Sequence, residues 1–248
     1  MKRVMLIVAY DGTNYHGWQL QPNMVTIESV LNETLSALFK EDIKVIGASR
    51  TDTGVHALGN IAVFDTQARM PADRISYAMN QRLPDDIRIQ SSEEVPQDFH
   101  PRRQNSRKTY EYRILNSEFP MPVYRLYSYF TYVPLDIERM QRAAGYLKGE
   151  HDFKSFCSSG TIAETTVRTI YDITIKKSGN MITIRVTGSG FLYNMVRIIA
   201  GTLMEVGRGR IAPEKMTDIL NARDRTRSGP TAPACGLTLV QYEFLAEG

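Results

Sequence analysis

The chain has 248 residues, of which 42% are hydrophobic, enough for one large globular domain or for two joined halves. Thirty basic residues against 27 acidic ones leave a net charge of +3, so any nucleic-acid surface must come from local clustering of charge. The two cysteines, Cys157 and Cys235, have neither zinc-type spacing nor the pattern of a disulfide framework, which excludes disulfide-rich classes and favours a reducing cytoplasm.

The first hundred residues alternate between strand and helix patterns. The apolar run at residues 3–10 ends in a turn signal without a small-residue cleavage pattern, so it predicts a buried strand and not a signal peptide. No run reaches the roughly 18 apolar residues of a membrane span, so no membrane partner is expected. The order is strand, helix, strand, strand, helix, strand, the split βαβ plan of RNA-recognition sheets. After the first strand, the predicted elements are a helix at 26–39, strands at 44–48 and 60–65, a helix at 71–83 stopped by Pro84, and short strands at 87–89 and 94–95.

The stretch from Ser49 to Ala57 places a carboxylate, a guanidinium, several hydroxyls and an imidazole on one loop between two predicted strands. Gly54 supplies the backbone freedom for a sharp turn there. Local chemistry alone leaves two interpretations open, a catalytic loop or a turn in which Thr and Asp side chains cap backbone amides.

Two further stretches have a structural and a functional interpretation. The first is Tyr10-Asp11-Gly12 followed by Tyr15-His16-Gly17-Trp18-Gln19. Its Trp18 either packs at the edge of the core or contacts a ligand, and packing is the commoner role of a lone aromatic residue. Between the halves, the segment 99–113 is either a solvated linker or a surface that meets phosphates. Its basic residues include Arg102, Arg103, Arg107 and Lys108.

The second half repeats the strand and helix plan with longer connections. The predicted elements are a strand at 110–115, a helix from Asp136 toward Gly149, a hairpin of strands 170–176 and 181–186, and a last strand at 237–244. A helix is also expected near 191–203, where Phe191, Met195 and Ile198 share a face and Arg197 lies off it.

Other possible sites are weaker. The segment His151–Cys157 could hold a catalytic His151 or Cys157, but a structural cap followed by two core phenylalanines explains its pattern. The Gly-x-Gly at 188–190 lacks the rest of a dinucleotide or P-loop signature, so no nucleotide cofactor is predicted. The histidines stand at separate positions, so no metal site is predicted.

Several of these stretches together resemble one family. That family is the tRNA pseudouridine synthases, and in particular its A-type members. The stretches that resemble it are Arg50-Thr51-Asp52 with Gly54-Val55-His56-Ala57, the Tyr10 to Gln19 pattern, Lys108-Thr109-Tyr110-Glu111-Tyr112, residues 188–197 and the Ala232 to Leu237 segment. With the element order, this resemblance implies an α+β fold of two RRM-like (split βαβ) halves. They would form a mixed, mainly antiparallel sheet flanked by helices, with a central active-site cleft. Residues 1–105 would be the N-terminal catalytic half carrying Asp52, and residues 106–248 the C-terminal half carrying Tyr110 and Arg197.

The resemblance also implies the reaction and its residues. The family isomerises uridine to pseudouridine at positions 38, 39 and 40 of the tRNA anticodon stem-loop, with one catalytic Asp and neither a cofactor nor a metal. That Asp maps onto Asp52, Arg197 would pair with it, and Tyr110 would lie against the target base. Arg50 would contact a phosphate or help to keep the target nucleotide out of the stack, and the basic residues of 99–113 would meet phosphates. A cytoplasmic homodimer with one tRNA across both subunits is implied as well.

Other classes account for less of the sequence. A pure RNA-binding module of paired RRM-like halves would lack its aromatic signature and would leave Asp52 without a role. A metal-dependent hydrolase would need clustered ligands. A sibling synthase family would share the Asp but not Val55-His56-Ala57, and it would carry an added S4-like or PUA-like domain. The choice between a covalent C1′ adduct and a glycal mechanism, the set of tRNAs and the oligomeric state stay open.

Overall fold

The computed structural model describes residues 1–160 and 163–245, and the chain divides into two compact units. One unit contains Met1–Asn105 and the described residues from Leu239 onward, and the other contains Ser106–Thr238. The expected division had placed every residue after 105 in the second half. From Leu239 onward, the chain's last strand instead groups with the first unit, where it lies beside a strand of that unit's sheet.

The first unit has the predicted order of strand, helix, strand, strand, helix, strand. Its elements are β1 (Lys2–Tyr10), α1 (Ile27–Phe39), β2 (Ile46–Gly47), β3 (His56–Thr66), α2 (Ala72–Asn80) and β4 (Ile87–Val95). Antiparallel pairing joins β1 to β3 and to β4, and β2 to β3. Helix α1 begins at a capping box, in which the Thr26 hydroxyl accepts from the Ser29 amide and the Ser29 hydroxyl accepts from the Thr26 amide.

Several predicted bounds in this unit differ from the structure. The strand expected at 44–48 is only two residues long, since only Ile46 and Gly47 pair with β3. Strand β3 begins earlier than predicted, at His56, because Ala57 still pairs with Tyr10 on β1. The two short strands expected at 87–89 and 94–95 are one continuous strand that accommodates a register shift opposite Ile7 and Val8. Helix α2 ends at Asn80, before Pro84 is reached.

The second unit contains five strands and three helices within its described residues. They are β5 (Ser106–Asn116), β6 (Tyr129–Thr131), α3 (Ile137–Gly145), β7 (Gly149–Asp152), β8 (Val167–Ser178), β9 (Met181–Gly188), α4 (Met195–Gly207) and α5 (Lys215–Ala222). The sheet order is β5-β9-β8-β7 with antiparallel pairs, and β6 lies parallel to β5. Short 3₁₀ helices lie at Pro122–Tyr124, Lys154–Phe156, Arg225–Arg227 and Ala234–Gly236.

The predicted hairpin of β8 and β9 is confirmed. Helix α3 begins beside Asp136 as predicted, where the Asp136 carboxylate accepts from the Arg139 amide, but it ends at Gly145, before Gly149. The structural interpretation of His151–Cys157 is confirmed too: Asp152 accepts from the Lys154 amide, and Phe153 and Phe156 are fully buried. One prediction is wrong. Helix α4 begins at Met195, because Asn194 has a left-handed backbone (φ +60°), so Phe191 precedes the helix and does not share its face.

Strand β10 (Leu237–Phe244) completes the set, with the predicted bounds. The fold is therefore α+β with mainly antiparallel strand pairs, as expected. In the first unit, β10 contributes Tyr242 and Phe244 to an apolar cluster around Met5, Ile61 and Val63. No helix within the described residues is long and apolar enough to cross a lipid bilayer.

Candidate active site

The loop between β2 and β3 presents Asp52 on a rigid support. Asp52 is partly exposed, while its neighbours Thr51 and Val55 are 6% and 1% exposed. The Val55 amide donates to the Asp52 carbonyl at 3.1 Å, and Gly54 within this turn has φ +77°. The turn predicted from Gly54 is therefore present, and it holds a partly exposed Asp52 between the buried residues Thr51 and Val55.

The segment from Tyr10 to Gln19, here called the first motif, holds this loop from one side through its backbone. The Trp18 amide donates to the Thr51 carbonyl at 3.0 Å, and the Gly54 amide donates to the Tyr15 carbonyl at 3.3 Å. A Cβ at Gly17 would lie 2.6 Å from the Thr51 carbonyl oxygen, so this approach requires glycine. The Trp18 ring itself is 1% exposed, which confirms its packing interpretation.

His56, near the end of the stretch from Ser49 to Ala57, contacts the first motif. Its Nδ1 lies 3.0 Å from a carboxylate oxygen of Asp11 and 3.1 Å from the Gly12 amide nitrogen, and its side chain is buried. A protonated Nδ1 donates to Asp11, and a deprotonated one accepts from Gly12, so either form ties β3 to the Asp11 turn. These contacts give His56 a structural role in this loop.

Two basic residues of the first unit lie near the same loop. Arg50 is exposed, and Arg102 donates from Nε to the Gly47 carbonyl at 2.7 Å. Burial of the Arg102 guanidinium and next the positive charge of Arg50 lower the pKa of Arg102. Arg103 is exposed in the turn that its amide closes on the His100 carbonyl. Arg50, Asp52 and Arg102 are therefore grouped around one loop, and two of them carry positive charge.

Residues 99–113 are divided between the two units. Arg102 and Arg103 belong to a turn of the first unit, whereas Arg107 and Lys108 lie on β5 of the second. Lys108 pairs with Gly188 on β9, so the backbone of this basic segment is fixed by a strand ladder.

Tyr110 and Arg197 belong to the second unit. Tyr110 lies on β5 opposite Val186, is 7% exposed, and meets the ring of Phe191 edge-on at a centroid distance of 5.3 Å. Arg197 donates from Nη1 to Asn194 Oδ1 and from Nε to the Ala232 carbonyl, each at 2.7 Å.

The segment around Ala232 is itself held in place. The Ala232 amide donates to the Arg197 carbonyl at 3.1 Å, and the Tyr112 hydroxyl donates to the Pro233 carbonyl at 2.9 Å. Arg197 is thus fixed between the left-handed Asn194 and this segment.

The residues that support the loop were not predicted as such from the sequence. Buried atoms of three residues contact the stretch 49–55, namely those of Tyr10, Gly17 and Asn60. The sequence pattern from Tyr10 to Gln19 includes the first two, and no pattern indicates Asn60. Within the described residues, no cluster of three or more His, Cys, Asp or Glu side chains could hold a metal ion. Cys157 and Cys235 are free thiols, and burial raises the pKa of Cys235.

Comparison with known proteins defines the class. Residues 6–102 and 143–244 match the family model described as tRNA pseudouridine synthase. Asp52 and Arg197 fall inside the matched ranges, and Tyr110 falls between them. The chain belongs to the tRNA pseudouridine synthase family, isomerases that convert uridine to pseudouridine in tRNA.

Its relatives are of the A type. The chain is 49% identical over 244 residues to tRNA pseudouridine synthase A of Thermoanaerobacter sp. (strain X514), and this match covers 98% of the chain and 100% of the relative. It is 51% identical over 244 residues to tRNA pseudouridine synthase A of Acetivibrio thermocellus, with the same coverage. A solved archaeal box H/ACA sRNP Nop10-Cbf5 complex is 13% identical with a TM-score of 0.34, covering 91% of this chain and 60% of that one. That score is too low to bear on fold or function.

Proposed function

We propose that this enzyme isomerises uridine at positions 38, 39 and 40 of the tRNA anticodon stem-loop, with Asp52 as its one catalytic carboxylate and no cofactor. The observation that carries the proposal is the placement of Asp52. Asp52 is partly exposed on a loop in which Ser49, Thr51 and Val55 are buried. Hydrogen bonds tie Ser49 to β3, and Thr51 to β1 and the first motif. A reactive group needs such a combination of access and fixed position.

The reaction needs no external reagent. The N1–C1′ bond of the uridine breaks, the freed uracil turns, and C5 bonds to C1′ while the C5 proton is lost and N1 is protonated, so product and substrate have the same composition. Asp52 acts as an ionised carboxylate that either attacks C1′ or removes the C2′ proton. In the proposed site, Arg197 is the guanidinium that offsets the cost of desolvating this charge.

The remaining site residues bind the RNA. Arg50 contacts a phosphate or keeps the target nucleotide out of the stack, and Tyr110 stacks on the target uracil, a contact worth roughly 1–3 kcal/mol. Arg102, Arg103, Arg107 and Lys108 meet further phosphates, because a local basic surface is what a chain of net charge +3 needs in order to hold tRNA. The enzyme acts in the cytoplasm as a homodimer that holds one tRNA across both subunits.

The test is a reaction with an unmodified tRNA transcript in buffer that contains a chelator and no cofactor. Three transcripts each carry one uridine among positions 38, 39 and 40, and a control transcript carries cytidine at all three while keeping its other uridines. Chemical mapping should find pseudouridine at the single target uridine in each of the three and none in the control. Pseudouridine elsewhere in the control transcript would refute the positional proposal, and dependence on a removed metal would refute the cofactor-free one.

A further inference from the structure

The side chain of Asn60, on β3, uses every donor and acceptor it has, and two of its hydrogen bonds go to Ser49 in the loop that carries Asp52. Its Oδ1 accepts from the Ser49 amide at 3.2 Å and from the Ile61 amide at 2.9 Å. Its Nδ2 donates to the Ser49 carbonyl at 2.9 Å and to the Tyr10 hydroxyl at 3.3 Å. Because an amide offers two donors and two lone pairs, this fully buried side chain is saturated, and its partners fix which end is oxygen.

The Tyr10 hydroxyl connects Asn60 to the residue before Asp52. Its oxygen lies 2.8 Å from Thr51 Oγ1, and both side chains are buried. Asn60 donates to the Tyr10 oxygen, and either hydroxyl can donate in the Tyr10–Thr51 bond. Burial raises the pKa of Tyr10 above its ordinary value, so the hydroxyl keeps its hydrogen at neutral pH.

An irregularity of the sheet brings these groups together. Val8 on β1 pairs with Asn60, whereas Tyr10 pairs with Ala57, so β3 has more residues than β1 over this interval. Such a bulge changes the direction of neighbouring side chains, and here Asn60 and Ile61 are buried in succession. The chain from Ser49 to Thr51 is therefore held at both ends by side chains of two adjacent strands.

We propose that Asn60 and Tyr10 are positioning residues for pseudouridine formation: through hydrogen bonds to Ser49 and Thr51 they set the orientation of the Asp52 carboxylate. The inference rests on the proposed role of Asp52. Reaction rates depend on sub-ångström placement of the reacting group, so a loop that is free to shift by about 1 Å would slow the chemistry while tRNA still binds.

The test compares full-length variants by single-turnover rate, tRNA Kd and melting temperature. Thr51→Val and Tyr10→Phe each remove one hydroxyl from the network with little change of shape, and Thr51→Ser keeps the hydroxyl. The matched control is Thr66→Val. Thr66 is also buried and bonded to Glu41 and the Ala68 amide, but it lies at the opposite end of β3 from Asp52.

We expect Thr51→Val and Tyr10→Phe to slow the single-turnover reaction by roughly 10- to 100-fold, with tRNA Kd unchanged. The double variant should be no slower than the slower single variant, because both substitutions remove the Tyr10–Thr51 hydrogen bond and only Tyr10→Phe also removes the bond from Asn60. Thr51→Ser should restore the rate, and Thr66→Val should lower the melting temperature without slowing the reaction.

Two results would overturn the inference. One is equal rates in Thr51→Val and Thr66→Val at equal loss of melting temperature, and the other is a slow Thr51→Ser, since that variant retains the hydroxyl. Asp52→Asn, measured in the same series, separates this failure from that of the proposed function. An inactive Asp52→Asn beside a fully active Thr51→Val overturns the positioning role alone, whereas an active Asp52→Asn overturns the proposed function.

Discussion

Gly17→Ala is the substitution whose effect on the Asp52 loop follows most directly from the structure. Gly17 has φ +83°, and an alanine there costs about 1–2 kcal/mol through its left-handed backbone alone. Its Cβ would also lie 2.6 Å from the Thr51 carbonyl oxygen and 3.1 Å from the Asp52 carbonyl carbon. Ordinary contact begins near 3.4 Å, so the loop must move away by about 0.8 Å.

The matched control is Gly209→Ala. Gly209 has nearly the same φ, +79°, but an added Cβ there meets nothing within 4 Å. Both variants should be destabilised by the left-handed backbone, which corresponds to a fall of about 2–4 °C in melting temperature per kcal/mol for a chain of this size. Only Gly17→Ala should carry the further cost of displacing the loop.

The assay is thermal unfolding together with single-turnover pseudouridine formation at saturating enzyme. Gly17→Ala should slow the reaction by up to about 100-fold, because a 1 Å misplacement can have that effect, while Gly209→Ala keeps the wild-type rate. Equal rates and equal melting temperatures for the two variants would refute the reasoning, since the approach of Gly17 to Thr51 would then have no effect on the loop.

Three further predictions concern Tyr110, the basic residues and pH. Tyr110→Phe should keep the wild-type melting temperature and rate. Tyr110→Ala should lose about 3–5 kcal/mol of stability, and its folded fraction should lose turnover. Full activity of that folded fraction would show that Tyr110 is not part of the site. Replacing Arg102, Arg103, Arg107 and Lys108 by Ala should make the slope of log Kd against log salt shallower by roughly 0.7–0.9 for each phosphate that is no longer neutralised. An unchanged slope would show that these residues do not bind the tRNA phosphates. Arg3 lowers the pKa of Asp65 through a 2.7 Å ion pair, so the pair's stabilisation is present above the ordinary Asp pKa of 3.8 and is lost as pH falls below it. The melting temperature of Asp65→Asn should therefore depend less on pH in that range than that of the wild type. An identical pH dependence would contradict the pairing.

The order of elements in the first unit could be predicted because each element has its own periodicity. The face formed by Ile27, Leu31 and Leu35 predicts α1 from residues within one helix. The length of β2 could not be predicted in this way, because it depends on which residues of β3 it meets. The start of α4 depends on the left-handed Asn194, whose side chain is bonded to Ser158 and to Arg197.

Helix α5 was missed for a local reason. Met216, Ile219 and Leu220 have the spacing of one helical face, but the helix has only eight residues and its N-cap, Glu214, makes no side-chain cap hydrogen bond. A short segment without a start signal gives little to distinguish it from a loop.

The supports of the candidate site were hidden for a different reason. The motif around Asp52 predicts a site from neighbouring residues alone, but Asn60 contacts Tyr10 across 50 residues of sequence, and Tyr10 contacts Thr51 across 41. The residues next to a buried Asn on an apolar strand do not indicate which groups it bonds. The residues next to a glycine likewise do not indicate that its missing Cβ makes room for a distant carbonyl. Such contacts come from strand register, which the sequence pattern does not determine.

The most direct test of the central claim is the single-turnover rate of Asp52→Asn on unmodified tRNA, with Asp73→Asn as the control. Asn is nearly isosteric with Asp, so Asp52→Asn removes the charge that the reaction needs and little packing. Asp73 is an exposed carboxylate in the first turn of α2. We expect Asp52→Asn to melt and to bind tRNA like the wild type while forming no measurable pseudouridine, and Asp73→Asn to keep the full rate. Retention of more than a few per cent of the wild-type rate by Asp52→Asn would contradict the account.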